Sequence, residues 1–405
     1  MTTLIVRFLL MFFLARFLEP EAVGYYGLFT ASIGFILYFV GLDFYIYTTR
    51  ELLQLPQHER AKPLKAQILM SLCLYAAVLP ITFALLVHLD WPRSLIWWFL
   101  AIAVLEHVNQ EVFRLLIALS KQIQAGILLF ARQGVWALAV IALMAARPET
   151  RGLNTVMGLW AGSGIATVLL GLWYIRRQSF GSWRHPVDWA WVRRGIKIST
   201  AFLIATLALR AMQTSDRYLV EAFTGLEGVA GYVLFLGVAS ALMTFLDAGV
   251  FAFAYPELIS LHHQKDHAAA RRRVQRMLWQ TLSCCGLFAV ASWLVLPWLL
   301  TWIGNPIYGR MIDLYPWLLL ATILNAIGLV PHYALYAKGS DRPIIHSHLA
   351  ALPTFLLMAW LLEKILPNLA VPVALAMSFA LILVWKTVAY LRQGFGDSTN
   401  PPIWQ

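Results

Sequence analysis

The chain has 405 residues, of which 60% are hydrophobic and 13% are charged, and its mean hydropathy is +0.70. Soluble domains contain about 45–50% apolar and about 25% charged residues, so this composition excludes a soluble enzyme and indicates a membrane protein. The net charge of +11 is typical of a nucleic-acid-binding protein or of a membrane protein with unequally charged loops. The three cysteines lie in apolar runs and give neither a disulfide framework nor a metal-binding spacing.

Apolar segments long enough to cross a bilayer recur along the whole chain. A helix of about 20 residues spans the roughly 30 Å of hydrocarbon. We predict twelve such spans, at residues 2–18, 24–47, 66–88, 94–119, 122–146, 153–175, 196–215, 228–253, 277–303, 313–337, 343–366 and 369–391. The first lacks a small-residue cleavage site, which favours a retained helix over a signal peptide. The predicted fold class is therefore an all-α polytopic membrane protein.

The basic residues determine the predicted orientation. With the N-terminus in the cytoplasm, 19 of the 31 Lys and Arg residues fall in cytoplasmic segments, 7 in outer segments and 5 within spans. Such an excess marks cytoplasmic loops, so both termini are predicted to be cytoplasmic. The run Arg271–Arg273 is interpreted as part of this topology signal and not as a nucleic-acid site.

The two halves of the chain resemble each other. Arg16–Leu18 followed by Gly24-Tyr25 corresponds to Arg217–Leu219 followed by Gly231-Tyr232, an offset of about half the chain. Chance similarity between apolar helices is the alternative. A repeat with six spans in each half predicts two parallel six-helix bundles around a central cavity. The predicted organisation is an N-terminal bundle (1–180), a cytoplasmic linker (181–195) and a C-terminal bundle (196–405).

The seventh span carries a polar stripe. Thr206, Arg210, Gln213 and Thr214 recur at spacings of three and four, so they share one helical face. We interpret the stripe as the lining of a hydrated cavity, with Thr206, Arg210 and Gln213 binding substrate. The alternative is hydrogen bonding between helices. Arg217, at the outer end of the span, is interpreted as reaching the membrane surface.

Arg7 lies in the first span much as Arg210 lies in the seventh, and the two are separated by the repeat offset. A guanidinium group binds phosphate oxygens through two parallel hydrogen bonds, so a pair of arginines suits a diphosphate. Arg7 is therefore predicted to bind substrate with Arg210. The alternative is that Arg7 reaches the cytoplasmic surface.

The fourth span is the most polar and contains Glu106, His107, Asn109, Gln110, Glu111 and Arg114. Ionisable groups inside a bilayer cost roughly 2.5–3.5 kcal/mol at a helix centre, so each needs a partner, water or a function. Glu106 and Glu111 are predicted ion-coupling residues and Arg114 a substrate-binding residue. Alternatively, Arg132 of the fifth span neutralises one of these glutamates. His107 with Glu111 is interpreted as a structural or proton-linked pair in preference to a metal site.

Asp43 and Asp247 occupy corresponding positions in the second and eighth spans. Both are predicted ion-coupling carboxylates, the alternative being charges near the membrane surface. Lys386 in the last span is interpreted as a snorkelling side chain. The sequence contains no P-loop, HExxH or GxSxG motif, so neither catalytic residues nor a cofactor are predicted.

The segment ARFLEPEAVGYYGLFTASIGFILYFVGLDFYIYTTREL resembles the opening of the Wzx-type polysaccharide or O-antigen flippases, members of the multidrug/oligosaccharidyl-lipid/polysaccharide exporter superfamily. DRYLVEAFTGLEGVAGYVLF resembles the corresponding part of the second half. The resemblance implies transport of an undecaprenyl-diphosphate-linked oligosaccharide across the bacterial inner membrane by alternating access. Arg7 and Arg210 match the cavity cations of that family. Membrane lipids, a polysaccharide polymerase and chain-length proteins are the implied partners.

Two other classes of function remain open at this point. A drug or cation antiporter on the same fold needs an acidic cavity, with Glu106, Glu111 and Asp43 facing inward and the arginines turned away. A membrane glycosyltransferase or polymerase needs a large outer loop with paired carboxylates, and the predicted outer loops are short.

Overall fold

The computed structural model describes residues 2–393, and every regular element in that part of the chain is helical. The α-helices are α1 (Thr2–Phe17), α2 (Pro20–Gly41), α3 (Tyr45–Gln54), α4 (Ala61–His88), α5 (Arg93–Ala118), α6 (Gln122–Phe130), α7 (Trp136–Ala146), α8 (Leu153–Arg176), α9 (Trp189–Leu246), α10 (Ala252–His263), α11 (His267–Ile303), α12 (Pro306–Arg310), α13 (Leu314–Ala337), α14 (Asp341–Glu363) and α15 (Ala370–Arg392). Two π-helical stretches, Ala131–Val135 and Asp247–Phe251, connect α6 to α7 and α9 to α10. Residues 1 and 394–405, assigned to the predicted cytoplasmic termini, lie outside the described residues.

Within residues 2–393, nine helices are long and apolar enough to cross a membrane. The other three predicted spans correspond to α1, which has 16 residues, to the strongly polar α5 and to the first part of α9. Large apolar side chains face outward, as in Trp298, which is 84% exposed. Only 11% of the apolar window in the helix of residues 57–88 is buried inside the protein. Lipid is the natural cover for such faces, and the predicted all-α polytopic fold is confirmed.

Three local features differ from the predicted spans. The second span was predicted at 24–47, but α2 ends at Gly41 because Leu42 and Asp43 adopt positive φ angles of 50° and 49°. The predicted linker 181–195 is helical from Trp189 onward, since α9 begins there. The seventh and eighth spans follow each other in α9 without a loop, and Gly225 breaks the helix with φ 73° and ψ −177°. Glycine adopts this left-handed φ readily.

The chain folds into two compact units, and each unit consists of two separate segments of the sequence. Unit 1 contains the residues up to Leu10 and Phe29–Leu207, and unit 2 contains Met11–Leu28 and the residues from Ala208 onward. In unit 1, α5 packs against α8, and in unit 2 α15 packs against both α13 and α14. The predicted boundaries at residues 180 and 196 were drawn from the number of spans in each half and not from contacts between helices. The predicted division into two bundles therefore stays a prediction.

The two copies of the sequence repeat pack against each other within unit 2. A Cβ atom on Gly24 would clash with the backbone of Leu226, and one on Gly27 would clash with the side chain of Val233. Small residues allow such close approach of helices in membranes. The glycine of the repeat therefore serves helix packing.

Candidate functional site

Unit 1 contains a cavity of about 630 Å³ whose walls are formed by α3, α4, α5, α8 and the segment that follows α8. Its polar lining includes Tyr45, Gln67, Tyr75, His107, Glu111, Arg114 and Arg176. Two of these, Glu111 and Arg114, are residues that the sequence predicted as ion-coupling and substrate-binding. The spacing of three and four residues along α5 brings His107, Glu111 and Arg114 to one face.

Glu111 is the main hydrogen-bond acceptor of this cavity. Gln67 Nε2 donates to Glu111 Oε2, and Arg114 Nη1 donates to Oε1 at 2.8 Å. The guanidinium of Arg114 also lies 3.6 Å from the ring centroid of Tyr45, and its Nη2 is 4.0 Å from Asp43 Oδ1. The charge of Arg114 is thus shared between two carboxylates and an aromatic face, an arrangement that fixes the guanidinium in place.

Glu106 and Arg132 form a buried ion pair apart from the cavity lining. Arg132 Nε donates to Glu106 Oε2 at 2.7 Å, and Trp160 Nε1 donates to Oε1 at 2.7 Å. The ring of Trp160 stacks on Trp136 with centroids 5.0 Å apart. Glu106 and Arg132 are each 7% exposed. The π-helical stretch Ala131–Val135 carries the arginine, and such stretches are common at functional positions.

His107 contacts Tyr75 of α4. Tyr75 Oη and His107 Nδ1 are 2.6 Å apart, and His107 Nε2 lies 3.9 Å from Glu111 Oε1. Among residues 2–393, no three His, Cys, Asp or Glu side chains converge as metal ligands would. The interpretation of His107 with Glu111 as a structural or proton-linked pair stays a prediction.

The polar stripe of the seventh span lies on α9. Arg210 is exposed, and its Nη1 donates to Gln213 Oε1 at 3.2 Å. Arg217 is tied to the protein, because its Nη1 donates to the backbone oxygen of Gln213 at 2.8 Å and lies 3.5 Å from Asp216 Oδ1. Asp216 is buried and accepts a hydrogen bond from Tyr232 at 2.8 Å. Arg217 is therefore a structural residue of unit 2, whereas Arg210 is exposed and hydrogen-bonded to a neutral side chain.

The remaining predicted site residues are spread over both units. Thr206 and Arg7 are half-buried and belong to unit 1, on α9 and α1 respectively. The predicted convergence of Arg7 with Arg210 joins residues of different units and stays a prediction. Asp247 is exposed and begins the π-helical stretch Asp247–Phe251. Asp43 lies in the positive-φ turn after α2, so the two repeat-related acids both lie where an α-helix is interrupted.

Sequence reasoning missed several residues that contact the predicted ones. Gln67, Tyr75 and Trp160 come from neighbouring helices, and no spacing rule connects them to α5. The interpretation of Lys386 as a snorkelling side chain is wrong. It is 2% exposed, and its Nζ contacts His332 and His348. A histidine inside each of two predicted spans was the signal that could have identified this cluster.

An all-α chain with about twelve spans in two repeated halves has the architecture of a multi-pass membrane transporter. The chain belongs to the family described as polysaccharide biosynthesis protein, whose profile matches residues 1–262. Comparison with curated proteins gives no match.

Solved structures show the same fold. A multidrug resistance MATE family transporter of the MOP superfamily, in an inward-facing conformation, gives a TM-score of 0.80 at 11% identity, covering 97% of this chain and 95% of that chain. A mutant of the Vibrio cholerae MATE transporter VcmN gives a TM-score of 0.61 at 12% identity, covering 96% and 94%. At such identities the likeness shows the fold alone. The chain thus combines membership of a polysaccharide biosynthesis family with the fold of these transporters.

Proposed function

We propose that this protein is a flippase that moves an undecaprenyl-diphosphate-linked oligosaccharide across the bacterial inner membrane by alternating access, supplying surface polysaccharide such as O-antigen. Membership of the polysaccharide biosynthesis family supports a lipid-linked sugar as substrate. The observation that carries the proposal is the distribution of charge. The carboxylates of α5 contact arginines, while Arg210 is an exposed residue of the polar stripe.

An exposed arginine at this position suits an anionic substrate. Arginine presents a planar fork of N–H donors that matches phosphate oxygens, and it keeps its charge in an apolar environment. Arg210 would hold the diphosphate, with Gln213 as its neutral hydrogen-bond partner. The polyprenyl tail stays in the lipid while the glycan crosses through water. A polymerase and chain-length proteins would then use the exported unit.

The arrangement of acids in unit 1 disfavours a drug or cation antiporter. That function needs carboxylates available for a cation, with the arginines turned away. Glu106 instead accepts from Arg132, and Glu111 accepts from Arg114. An acid already paired with arginine attracts a cationic drug less, because its charge is compensated locally.

Replacing Arg210 tests the proposal. Charge-assisted hydrogen bonds contribute about 1.5–3 kcal/mol, so Arg210→Ala is expected to weaken diphosphate binding roughly ten- to hundredfold. Arg210→Lys keeps the charge but loses the fork, so an intermediate effect is expected. The measurement is flipping of a fluorescent polyprenyl-diphosphate disaccharide in proteoliposomes, with surface glycan measured in cells.

Arg272→Ala is the matched control, because Arg272 is an exposed arginine of α11 outside the predicted spans. It is expected to flip the probe at the wild-type rate. Wild-type flipping by Arg210→Ala at an equal protein level would contradict the role of Arg210. Absence of flipping by the wild-type protein, together with export of a cationic dye, would favour the antiporter.

The proposed orientation is testable by cysteine labelling. Gln264 and Glu149 are both exposed and lie at opposite ends of the predicted spans. A membrane-impermeant maleimide is expected to label Gln264→Cys only from the cytoplasmic side and Glu149→Cys only from the outside, as the positive-inside rule requires. Wild-type protein, with its three native cysteines, gives the background. The opposite labelling pattern would reverse the proposed topology.

A further inference from the structure

Three nitrogen bases meet inside unit 2. Lys386 Nζ lies 3.2 Å from His332 Nδ1 and 3.0 Å from His348 Nε2. Each residue comes from a different helix, namely α15, α13 and α14. Lys386 is 2% exposed, while both histidines are half-buried. The transport scheme above makes no use of this cluster, which is named here the Lys386 cluster and consists of these three residues.

The Lys386 cluster contains no acid. Among the described residues, no carboxylate lies within 4.0 Å of Lys386 Nζ. Lysine ordinarily carries its charge, and an isolated charge deep in a membrane protein costs roughly 2.5–3.5 kcal/mol. The position of Lys386 is therefore unfavourable for a permanent ammonium group and favourable for one that loses its proton.

The titratable groups around the cluster are mostly tyrosines. On α13, the rings of Tyr333 and Tyr336 lie 5.5 and 6.5 Å from that of His332. On α10, Tyr255 contacts both tyrosines, at 5.3 and 5.6 Å. Four charged groups lie beside tyrosines and not beside the cluster itself. The two acids are Asp247, beside Tyr333, and Asp341 of α14, near Tyr255. The two bases are Arg271 of α11 and Lys338, both near Tyr390 of α15. None of the charged groups contacts the three nitrogens directly.

The hydrogen bonds of the cluster are satisfied with or without one extra proton. A neutral lysine amine has two N–H donors, one for each imidazole nitrogen, and both histidines then accept. A lysine ammonium donates to the same two acceptors with one N–H to spare. A second extra proton would place a donor against a donor and two positive charges side by side. The cluster therefore has two accessible states that differ by one proton and one charge.

We propose that His332, His348 and Lys386 form a one-proton binding site in unit 2, and that this proton is the ion whose gradient drives transport. The driving role rests on the proposed flippase function, whereas proton binding by the cluster does not. The proton moves between the Lys386 amine lone pair and water that reaches the cluster beside the half-buried histidines. Binding adds a charge where α13, α14 and α15 meet, and so changes the energy of packing these three helices together.

Proton binding is measured first, on purified full-length protein without substrate. Between about pH 5 and pH 9, the range in which ordinary histidine titrates and ordinary lysine does not, wild-type protein is expected to take up one proton more than a triple variant that combines Lys386→Met with His332→Gln and His348→Gln. The histidine changes prevent an imidazole from titrating in place of the lysine. Lys364→Met is the matched control, since Lys364 is an exposed lysine at the end of α14. It is expected to titrate like the wild type. Identical titration of wild type and the triple variant would overturn the proposal.

A second measurement uses the wild-type chain alone and covers the case in which the triple variant does not fold. The chain has eight lysines, whose side-chain nitrogens are distinguishable as ammonium or amine by ¹⁵N NMR. One lysine is expected to become a neutral amine within that pH range, while the other seven stay charged. Eight ammonium signals throughout the range would overturn the proposal.

The driving role is tested by transport. In proteoliposomes, an imposed pH gradient is expected to accelerate flipping of the fluorescent polyprenyl-diphosphate disaccharide severalfold by wild type and by Lys364→Met. Lys386→Met is expected to flip the probe downhill without responding to the gradient. An equal response in Lys386→Met would overturn the driving role. Failure of the wild type to flip the probe at all would instead overturn the flippase proposal, with the proton titration unaffected.

Discussion

Arg132→Met is expected to destabilise unit 1 by about 3–5 kcal/mol, because it leaves the Glu106 carboxylate buried without its cation. Among the described residues, the Trp160 indole N–H would be the only remaining donor to that carboxylate. Glu106→Gln is expected to destabilise unit 1 to a similar extent, because its single amide oxygen replaces only one of the two oxygens that accept from Arg132 and Trp160, and the arginine keeps an uncompensated charge. Thermal and denaturant unfolding of the purified protein in detergent measure both effects.

The double variant Glu106→Gln with Arg132→Met decides what the pair contributes. With both charges removed, the buried site is neutral, so the double variant is expected to be more stable than Arg132→Met alone. Glu59→Gln is the matched control, because Glu59 forms an exposed pair with His58 at 3.7 Å and surface pairs contribute little. Effects of the two single changes that simply add in the double variant would contradict a direct coupling of Glu106 with Arg132.

The same double variant separates a structural role of Glu106 from ion coupling. If the pair only stabilises unit 1, a folded double variant flips the polyprenyl-diphosphate probe and keeps its response to the pH gradient. If Glu106 couples an ion, the response is lost although the protein is folded. The buried geometry of the pair, away from the cavity lining, leads us to expect the first result.

The spans were predictable because bilayer thickness fixes the length of an apolar helix, whatever its neighbours are. Local exceptions follow from features that a hydropathy pattern does not register. The second span was predicted to continue past Asp43 because the next residues, such as Phe44 and Tyr47, are apolar. The structure ends α2 at Gly41 instead, because Leu42 and Asp43 form a turn with positive φ angles. Phe44 and Tyr47 instead pack in the core of unit 1 with Val192.

Side-chain partners were predictable only where opposite charges stand in adjacent spans. Glu106 and Arg132 are 26 residues apart and must each find compensation, so their pairing was one of the open alternatives. Lys386 has no acid near it in sequence, and its partners lie 38 and 54 residues earlier on two other helices. Which helices become neighbours depends on packing of the whole unit, and hydropathy does not encode that choice.

Gly24→Ala is expected to destabilise unit 2 by about 1–3 kcal/mol, the usual cost of an added methyl group in a packed interior. The new Cβ would meet the carbonyl oxygen and backbone carbon of Leu226. A flexible side chain could rotate away, but a backbone carbonyl moves only if α2 and α9 separate. Gly24 is part of the repeat motif, so this clash also tests the packing of one repeat copy on the other.

Two other glycines turn this prediction into a graded series. For a Cβ on Gly231, the repeat counterpart, the three nearest atoms all belong to the side chain of Met311, and a Cβ on Gly34 of α2 would meet no atom within 4 Å. Methionine is flexible and adapts to added volume, so Gly231→Ala is expected to cost less than Gly24→Ala. Gly34→Ala is expected to be neutral or to stabilise α2 by up to about 1 kcal/mol, because alanine favours the helix. Unfolding of the three purified variants gives the order, and equal stability of Gly24→Ala and Gly34→Ala would contradict close contact between the two repeat copies.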